Sequence, residues 1–436
     1  MLTVLLINKV KCMKRMKLIR LISLIVIGFS TVYSVKAQLS IEQCKQKAHE
    51  NYPLIKRFDL IEKSATYDLS NAGKGHLPQI ALNAKASYQT QVTEIPVSLP
   101  GLDIKSPNKD QYGITLDINQ TVWDGGTIRS QKEIIKTTTT VERKQLEVDL
   151  YEIDERVNQL FFGILLLDAR LEQNVLLQEE LVRNYEKVAA SVNNGVANQT
   201  DLDIIRIEQL NAKQANVQLK SNRKTYVEML QILIGEPIQE HVIFQKPEIY
   251  EVSDQYQNNR PELTLFDARV ENLVARQQMI RSGLMPKLGV FATGGYGNPA
   301  LNMLKPEFST YFIGGIKLTW NFGRFYTQKN EKRLIDINRQ HIQTQRETFL
   351  FNTNLESVKQ INEVDRQRQL LTLDDEKISL RQQVKRATEI KVENGMATIT
   401  DLMDEITSAD MAIQEKIQHE IELWLSVYQL KHITNN

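Results

Sequence analysis

The sequence predicts a mainly α-helical protein with a membrane β-barrel, built from duplicated helix–hairpin–helix halves. Three copies would close a twelve-stranded barrel and continue it as a ring of long coiled-coil helices. Three observations carry this prediction. Two Pro-free stretches of nearly equal length have helical periodicity, four short segments alternate apolar with polar residues, and the second half of the chain repeats the first.

The composition narrows the function classes. The chain has 436 residues, 54 Lys and Arg against 53 Asp and Glu, and 42% hydrophobic residues, enough for a sizeable core. A net charge of +1 gives no electrostatic footprint for nucleic acid, so no nucleic-acid partner is expected. Two cysteines, Cys12 and Cys44, cannot make a disulfide framework, and six His with no H-E-x-x-H or C-x-x-C setting offer no metal site. There is no G-x-x-x-x-G-K-[ST] nucleotide loop and no G-x-S-x-G nucleophile elbow. Neither an enzyme nor a cofactor is expected.

Residues 1–37 read as a signal peptide. Lys14, Arg15, Lys17 and Arg20 precede an apolar stretch from Leu21 to Phe29, and small and polar residues follow to Val35-Lys36-Ala37. That is the charged, apolar, small-residue order of a secretory leader cleaved after Ala37, with Met13 or Met16 as the initiator. A short buried helix is the other reading of the same stretch. Neither cysteine sits in a lipid-anchor context, and Cys44 is expected to be an inert core thiol.

After Ala37 no segment approaches the length of a spanning helix. The densest apolar run, 160–167, is bounded by Gln159 and Asp168, so any membrane reading rests on strands. A first repeat is expected over 38–235, with strands at about 78–91 and 111–123 and a long helix at about 127–194. Ile80, Leu82, Ala84, Ala86 and Tyr88 alternate with Gln79, Asn83, Lys85, Ser87 and Gln89. Tyr112, Ile114, Leu116, Ile118 and Val122 alternate likewise with Gly113, Thr115, Asp117, Asn119 and Thr121. Period two over about ten residues marks a strand with one apolar and one wet face, which puts Lys85 and Asp117 toward water. Between these strands Pro96, Pro100 and Pro107 exclude a helix and predict an exposed loop. Leu146, Leu150, Ile153, Val157, Leu160, Ile164, Leu167 and Leu171 then step alternately by four and three, a heptad seam. At 1.5 Å per residue the helix would run roughly 100 Å.

Pro237, Pro247 and Pro261 mark residues 236–261 as a linker. The second repeat, 262–436, is expected to hold strands at about 286–297 and 308–320 and a long helix at about 324–394. Its first strand is Gly-rich. Its second places Phe308, Phe312, Ile316, Leu318 and Trp320 opposite Ser309, Lys317 and Thr319, and the loop between them holds Pro299 and Pro306. Asn193-Asn194-Gly195-Val196-Ala197-Asn198-Gln199-Thr200-Asp201-Leu202 resembles Glu393-Asn394-Gly395-Met396-Ala397-Thr398-Ile399-Thr400-Asp401-Leu402, two hundred positions on. His76-Leu77-Pro78-Gln79 corresponds to Leu284-Met285-Pro286-Lys287, and Trp123-Asp124-Gly125-Gly126 to Trp320-Asn321-Phe322-Gly323. Four strands with an apolar outer face cannot close on themselves, and an open edge is not tolerated in a bilayer. Other copies must complete the sheet, and three copies give twelve strands, within the range of known outer-membrane barrels.

These motifs, in their duplicated order from Leu39-Ser40-Ile41-Glu42-Gln43 through Gln429, resemble the TolC-like outer-membrane efflux protein family, the outer-membrane factors of tripartite pumps. The resemblance implies a homotrimer in the lipid of the cell outer membrane, with its helical tunnel in the periplasm. It implies a passive exit duct for drugs, metals or secreted polypeptides in an efflux or type I secretion system. The duct would open on docking to a periplasmic adaptor, or membrane-fusion protein, and an inner-membrane pump.

The resemblance also names candidate residues. Asn194, Gly195, Thr200, Asn394, Gly395 and Thr400 would form the periplasmic tips that meet the adaptor, while both glycines also read as helix C-caps. Asp401 and Asp404 would line the narrowest point as a cation-selective gate, with Asp201 a further candidate. All three equally suit a first helical turn, where the dipole favours a carboxylate, and Thr398-x-x-Asp401 resembles a capping box. Ala397 stands where some relatives carry a latching Arg. Trp123 and Trp320 read either as membrane-interface anchors or as packing for the first helical turn. The rival functions are a secreted coiled-coil scaffold without a pore, which leaves four alternating strands unexplained, and a periplasmic adaptor, which needs a lipoyl-like β domain absent here. A periplasmic hydrolase lacks any recognisable nucleophile.

Overall fold

The computed structural model describes residues 38–93, 106–240, 242–248, 257–303, 305 and 307–435. The expected signal peptide, Pro96, Pro100, Pro306 and part of the linker lie outside the described residues.

The described residues begin with a short strand, β1 (Gln38–Leu39), followed by α1 (Ile41–Asn51) and α2 (Lys56–Gly73). The hairpin β2 (Gln79–Tyr88) and β3 (Asp110–Trp123) leads into α3 (Thr127–Asn193), which turns back as α4 (Gln199–Ile234). After β4 (Ile243–Phe244) the same order recurs: α5 (Pro261–Ser282), the hairpin β5 (Lys287–Asn298) and β6 (Ser309–Thr319), then α6 (Arg324–Glu393) and α7 (Ile399–Thr434).

The two long helices have 67 and 70 residues, about 100 Å each by the helical rise. The heptad seam of α3 explains its packing: Leu146, Leu150, Ile153, Val157, Leu160, Ile164 and Leu167 are all buried. Toward its C-terminus α3 lies against α4 and α7, and its N-terminal part lies against α2 and α5. Helix α6 pairs with α7 and then with α5, so short helices complete the length of each long one.

The core sits at mid-length, where the densest apolar run of α3 meets both ends of the chain. Phe161 and Phe162 are fully covered there, among Ile41, Cys44, Leu230, Phe244, Trp424 and Tyr428. Phe161 meets Phe244 edge-on at 5.6 Å between ring centroids, and Phe162 meets Tyr428 at 5.2 Å. Burial pushes the Cys44 thiol up to about 12, so it is a core side chain and not a nucleophile. The strand β1 pairs in parallel with β4 and stitches the start of the chain to the segment after α4.

The second sheet has the order β2-β3-β5-β6, antiparallel throughout, so the two hairpins join through β3 and β5. One face is apolar and open to solvent in the single chain: Leu82 is 72% exposed and Ile316 75%. The outer edges of β2 and β6 have no strand beside them among the described residues. No helix among the described residues is long and apolar enough to cross a membrane.

Candidate functional site

Three parts of the molecule bear the candidate residues: the helical tips, the carboxylates just above them, and the sheet. At each tip a long helix ends in the same way. Gly195 has φ +75° and Gly395 φ +70°, a left-handed conformation that a side chain disfavours. The amide of Gly195 donates to the Val192 carbonyl at 2.9 Å and that of Val196 to Ser191 at 2.9 Å. Gly395 donates to Val392 at 3.0 Å and Met396 to Lys391 at 2.8 Å. These are paired Schellman motifs, and they satisfy the carbonyls that a helix end leaves free.

The return helices start on capping boxes. Asp201 N donates to Asn198 Oδ1 at 3.1 Å while Asn198 N donates to Asp201 Oδ2 at 3.1 Å. Asp401 N donates to Thr398 Oγ1 at 3.1 Å, and Asp401 Oδ2 accepts from Thr398 N at 2.8 Å and from its hydroxyl at 2.7 Å. Those hydrogen bonds from Thr398 hold the Asp401 carboxyl below the usual carboxylate range. Asn194, Gly195, Thr200, Asn394, Gly395 and Thr400 are all exposed. So are Val196 at 82% and Met396 at 72%, two apolar side chains that sequence reasoning passed over although each follows its cap glycine directly.

The fold brings the two tips side by side. A cavity of about 400 Å³ lies between them, lined by Lys187, Val196 and Asp201 on one side and Glu393, Gly395 and Thr398 on the other. Beneath it Leu181, Val188, Leu202 and Ile205 pack with Ile399, Leu402, Met403 and Ile406. Asp401 and Asp404 point away from that packed seam and are exposed, whereas Asp201 is half-buried at the cavity wall. Above the tips, ion pairs and hydrogen bonds tie the two helical hairpins together. Lys385 Nζ meets Glu180 at 2.6 Å, Arg170 donates to Gln418 at 2.9 Å, and Gln173 donates to Asp410 at 2.8 Å.

On the polar face of the sheet Asp117 accepts from Asn83 at 2.7 Å, from Thr115 at 3.1 Å and from Thr293 at 2.6 Å, one network across three strands. Trp123 falls on the odd, polar set by simple alternation, yet the register slips between Thr121 and Trp123, and Trp123 stands opposite Leu288. This bulge turns the indole to the apolar face. Trp320 at the end of β6 donates its Nε1–H to the Leu284 carbonyl at 3.0 Å and lies 4.7 Å from the Phe322 ring. Both indoles are half-exposed, at 47%. Just beyond Trp123, Asp124 accepts from Gly126 N at 2.8 Å and from Ile128 N at 2.5 Å, and so caps α3. Among the described residues no group of three or more His, Cys, Asp or Glu could hold a metal ion.

Against known proteins, residues 45–236 match the profile of a family described as "Outer membrane efflux protein". No curated protein matches the chain. Among the solved structures that share its fold are the following three. The outer-membrane channel OprN is 14% identical, with a TM-score of 0.68 over 90% of this chain and 89% of its own. VceC, an outer membrane protein of Vibrio cholerae, is 14% identical, with a TM-score of 0.65 over 91% of this chain and 96% of its own. The MtrE outer membrane channel of Neisseria gonorrhoeae, solved in its open state, is 14% identical, with a TM-score of 0.65 over 91% of this chain and 89% of its own.

Proposed function

We propose that this chain, whose residues 45–236 match the outer membrane efflux protein family, is a member of that family and the outer-membrane exit duct of a tripartite pump, assembled as a trimer. One observation carries the reading. The four-stranded sheet is apolar on one face, polar on the other and open at both edges. In a bilayer those edges need partners, and two further copies supply them while enclosing the polar face around water. The helices give independent support. Helix α4 exposes Ile207, Leu210, Val217 and Ile232, and α6 exposes Leu334, Phe351, Leu355, Val358, Leu373 and Leu380, seams that neighbouring copies would cover.

In this reading the strands sit in the outer membrane and the helical hairpins reach into the periplasm. The paired tips meet the adaptor through Asn194, Gly195, Thr200, Asn394, Gly395 and Thr400, with Val196 and Met396 as apolar anchors. Asp401 and Asp404, one helical turn apart and free of the packed seam, recur three times around the closed end, and Asp201 stands behind them. Crowded carboxylates favour cations, so the closed end filters charge as well as size. Docking opens it only as far as the adaptor binds the open state more tightly than the closed one.

The test is extraction of membranes followed by mass measurement. A detergent-dependent particle near three times the mass of the processed chain supports the duct. A water-soluble monomer would end it in favour of a coiled-coil scaffold. In a conducting trimer, Asp401→Ala with Asp404→Ala should lower cation selectivity in planar bilayers, and unchanged selectivity would remove the gate assignment alone.

A further inference from the structure

We propose that the junction between sheet and helices is a binding collar for anionic phospholipid, in which Lys74, Lys132, Arg281 and Arg324 hold headgroup phosphates of the leaflet facing the periplasm. The inference rests on the duct reading above, which puts the sheet in the membrane, and adds to it the chemistry of the lipid around that sheet.

Helices α2, α3, α5 and α6 all meet the sheet at one end. Exposed apolar side chains mark the depth there. Trp320 lies against Phe322, which stacks on Phe325 at 6.5 Å between ring centroids, and Trp123, Leu77 and Met285 are exposed at the same end. Tryptophans in such a row sit at the level of lipid headgroups.

The charges at this level are of one sign. Lys74 follows α2, Arg281 lies in the last turn of α5, and Arg129, Lys132, Arg324 and Lys329 lie in the first two turns of α3 and α6. Lys132 is half-buried and the others are exposed. Among the described residues none of them forms an ion pair, because the neighbouring acids are engaged elsewhere. Asp124 caps α3, Glu133 faces Lys136 at 4.0 Å, and Glu331 accepts from the Thr327 hydroxyl at 2.7 Å. Lys287 and Lys317 belong instead to the polar face of the sheet.

The fold also sets like charges side by side. The Lys132 ammonium lies 3.1 Å from the place of a Cβ on Gly73, the residue before Lys74. The Arg324 guanidinium occupies the place where a side chain on Gly283 would stand, two residues after Arg281. The next residue, Leu284, accepts from the Trp320 indole, so guanidinium and indole share one turn at one depth. Neighbouring cations without a counter-charge repel, and a phosphate between them turns that repulsion into charge-assisted hydrogen bonds.

Neither overall charge nor helix dipoles account for the band. The chain carries a net charge of +1, and residues 91–110 and 299–308, at the other end of the sheet, hold Glu94, Asp103, Asp110 and Glu307 against Lys105, Lys109 and Lys305. At the junction two helix N-termini and two C-termini meet, so their partial charges offset. The positive rim is therefore a matter of side chains, on the side from which the helices leave the membrane.

The experiment uses the purified full chain in phosphatidylcholine vesicles containing a small fraction of brominated phosphatidylglycerol or, in parallel, brominated phosphatidylcholine. Trp123 and Trp320 report the lipid at the rim, while Trp424 is buried. Phosphatidylglycerol should quench more at equal mole fraction, with a relative affinity of about fivefold or more. Lys74→Gln, Lys132→Gln, Arg281→Gln and Arg324→Gln together should abolish that preference. Equal quenching by the two lipids in wild type would overturn the collar and leave the duct standing. No quenching by either would overturn the duct reading and the collar together. Loss of the preference on adding inorganic phosphate, but not chloride of equal ionic strength, would make this a site for free phosphate and refute the lipid. Should the fourfold variant not assemble, Lys132→Gln and Arg324→Gln decide singly. Each should lower the preference several-fold while Lys377→Gln, far along α6, leaves it unchanged. No loss in either, or an equal loss in Lys377→Gln, refutes the collar.

Discussion

Asp410 of α7 accepts a hydrogen bond from Gln173 Nε2 of α3 at 2.8 Å, joining one helical hairpin to the other through a buried carboxyl. Burial raises its pKa, and Glu180 pushes the same way, while the hydrogen bonds from Gln173 and Gln414 and the nearby Lys385 pull it down. A carboxyl with a raised folded-state pKa favours the fold below its unfolded value, and that contribution is lost as pH rises through the folded value. Asp410→Asn should therefore raise the melting temperature at mildly alkaline pH. The gain should vanish in acid, below the ordinary aspartate value of about 3.9. Gln414, which donates to Asp410, can turn its amide to accept from the new Asn. Melting curves across that pH range check this, and a gain of equal size at every pH would show that charge is not the cause.

Capping at the second tip has the opposite sign. Asp401 has its pKa lowered by the hydrogen bonds from Thr398, so its contribution is present above the unfolded value and lost as pH falls through the folded one. Thr398→Ala should cost about 1 kcal/mol, the usual loss of a helix N-cap, and should flatten the acid side of the stability profile. Calorimetry of wild type and variant at neutral and acid pH measures both effects.

Core and seam residues should separate in kind. Phe161 is fully buried at mid-length, and Phe161→Ala should destabilise the fold by about 3–5 kcal/mol. Phe351 is 65% exposed on α6, and Phe351→Ala should leave the isolated chain's melting unchanged while lowering the temperature at which the oligomer dissociates. Circular dichroism reads the first and native-mass measurement the second.

The three tryptophans offer a probe of depth. Trp123 and Trp320 are half-exposed at the sheet's end, whereas Trp424 is buried in the helical core. In vesicles of brominated lipid, single-tryptophan variants keeping Trp123 or Trp320 should be strongly quenched, and the one keeping Trp424 should not. Equal quenching of all three would remove the interface role of the first two.

The mainly helical efflux-channel fold was legible because each element leaves a local trace. The alternation around Leu82 and Leu116 is forced by a sheet with two unlike faces, and the seam from Leu146 to Leu167 by a helix that packs along its whole length. The glycines of the tips were legible as caps for the same reason. The Asn198–Asp201 box was visible in principle but overshadowed by the Thr398 version, since Asn and Asp serve equally as caps and as surface residues. What depended on pairing between distant segments left no local trace. The joining of β3 to β5 and the bulge that turns Trp123 both follow from register, which a strand's own residues do not specify. Closure of the proposed barrel would not be a property of one chain at all.

The mid-length core has a consequence for the order of synthesis. The Tyr428 hydroxyl donates to Glu42 Oε1 at 3.2 Å across 386 residues, and Ile41 and Cys44 share their core with Trp424. At about 5–20 residues per second, Glu42 leaves the ribosome roughly 20–80 s before Tyr428 exists. From their own synthesis until Trp424 and Tyr428 are made, Phe161 and Phe162 have no complete partner surface, so the nascent chain carries an apolar segment that it can cover only in part. A chain cut before Ile421 would lack Ile421, Trp424 and Tyr428 and leave that side of the core uncovered, a client for chaperones and proteases.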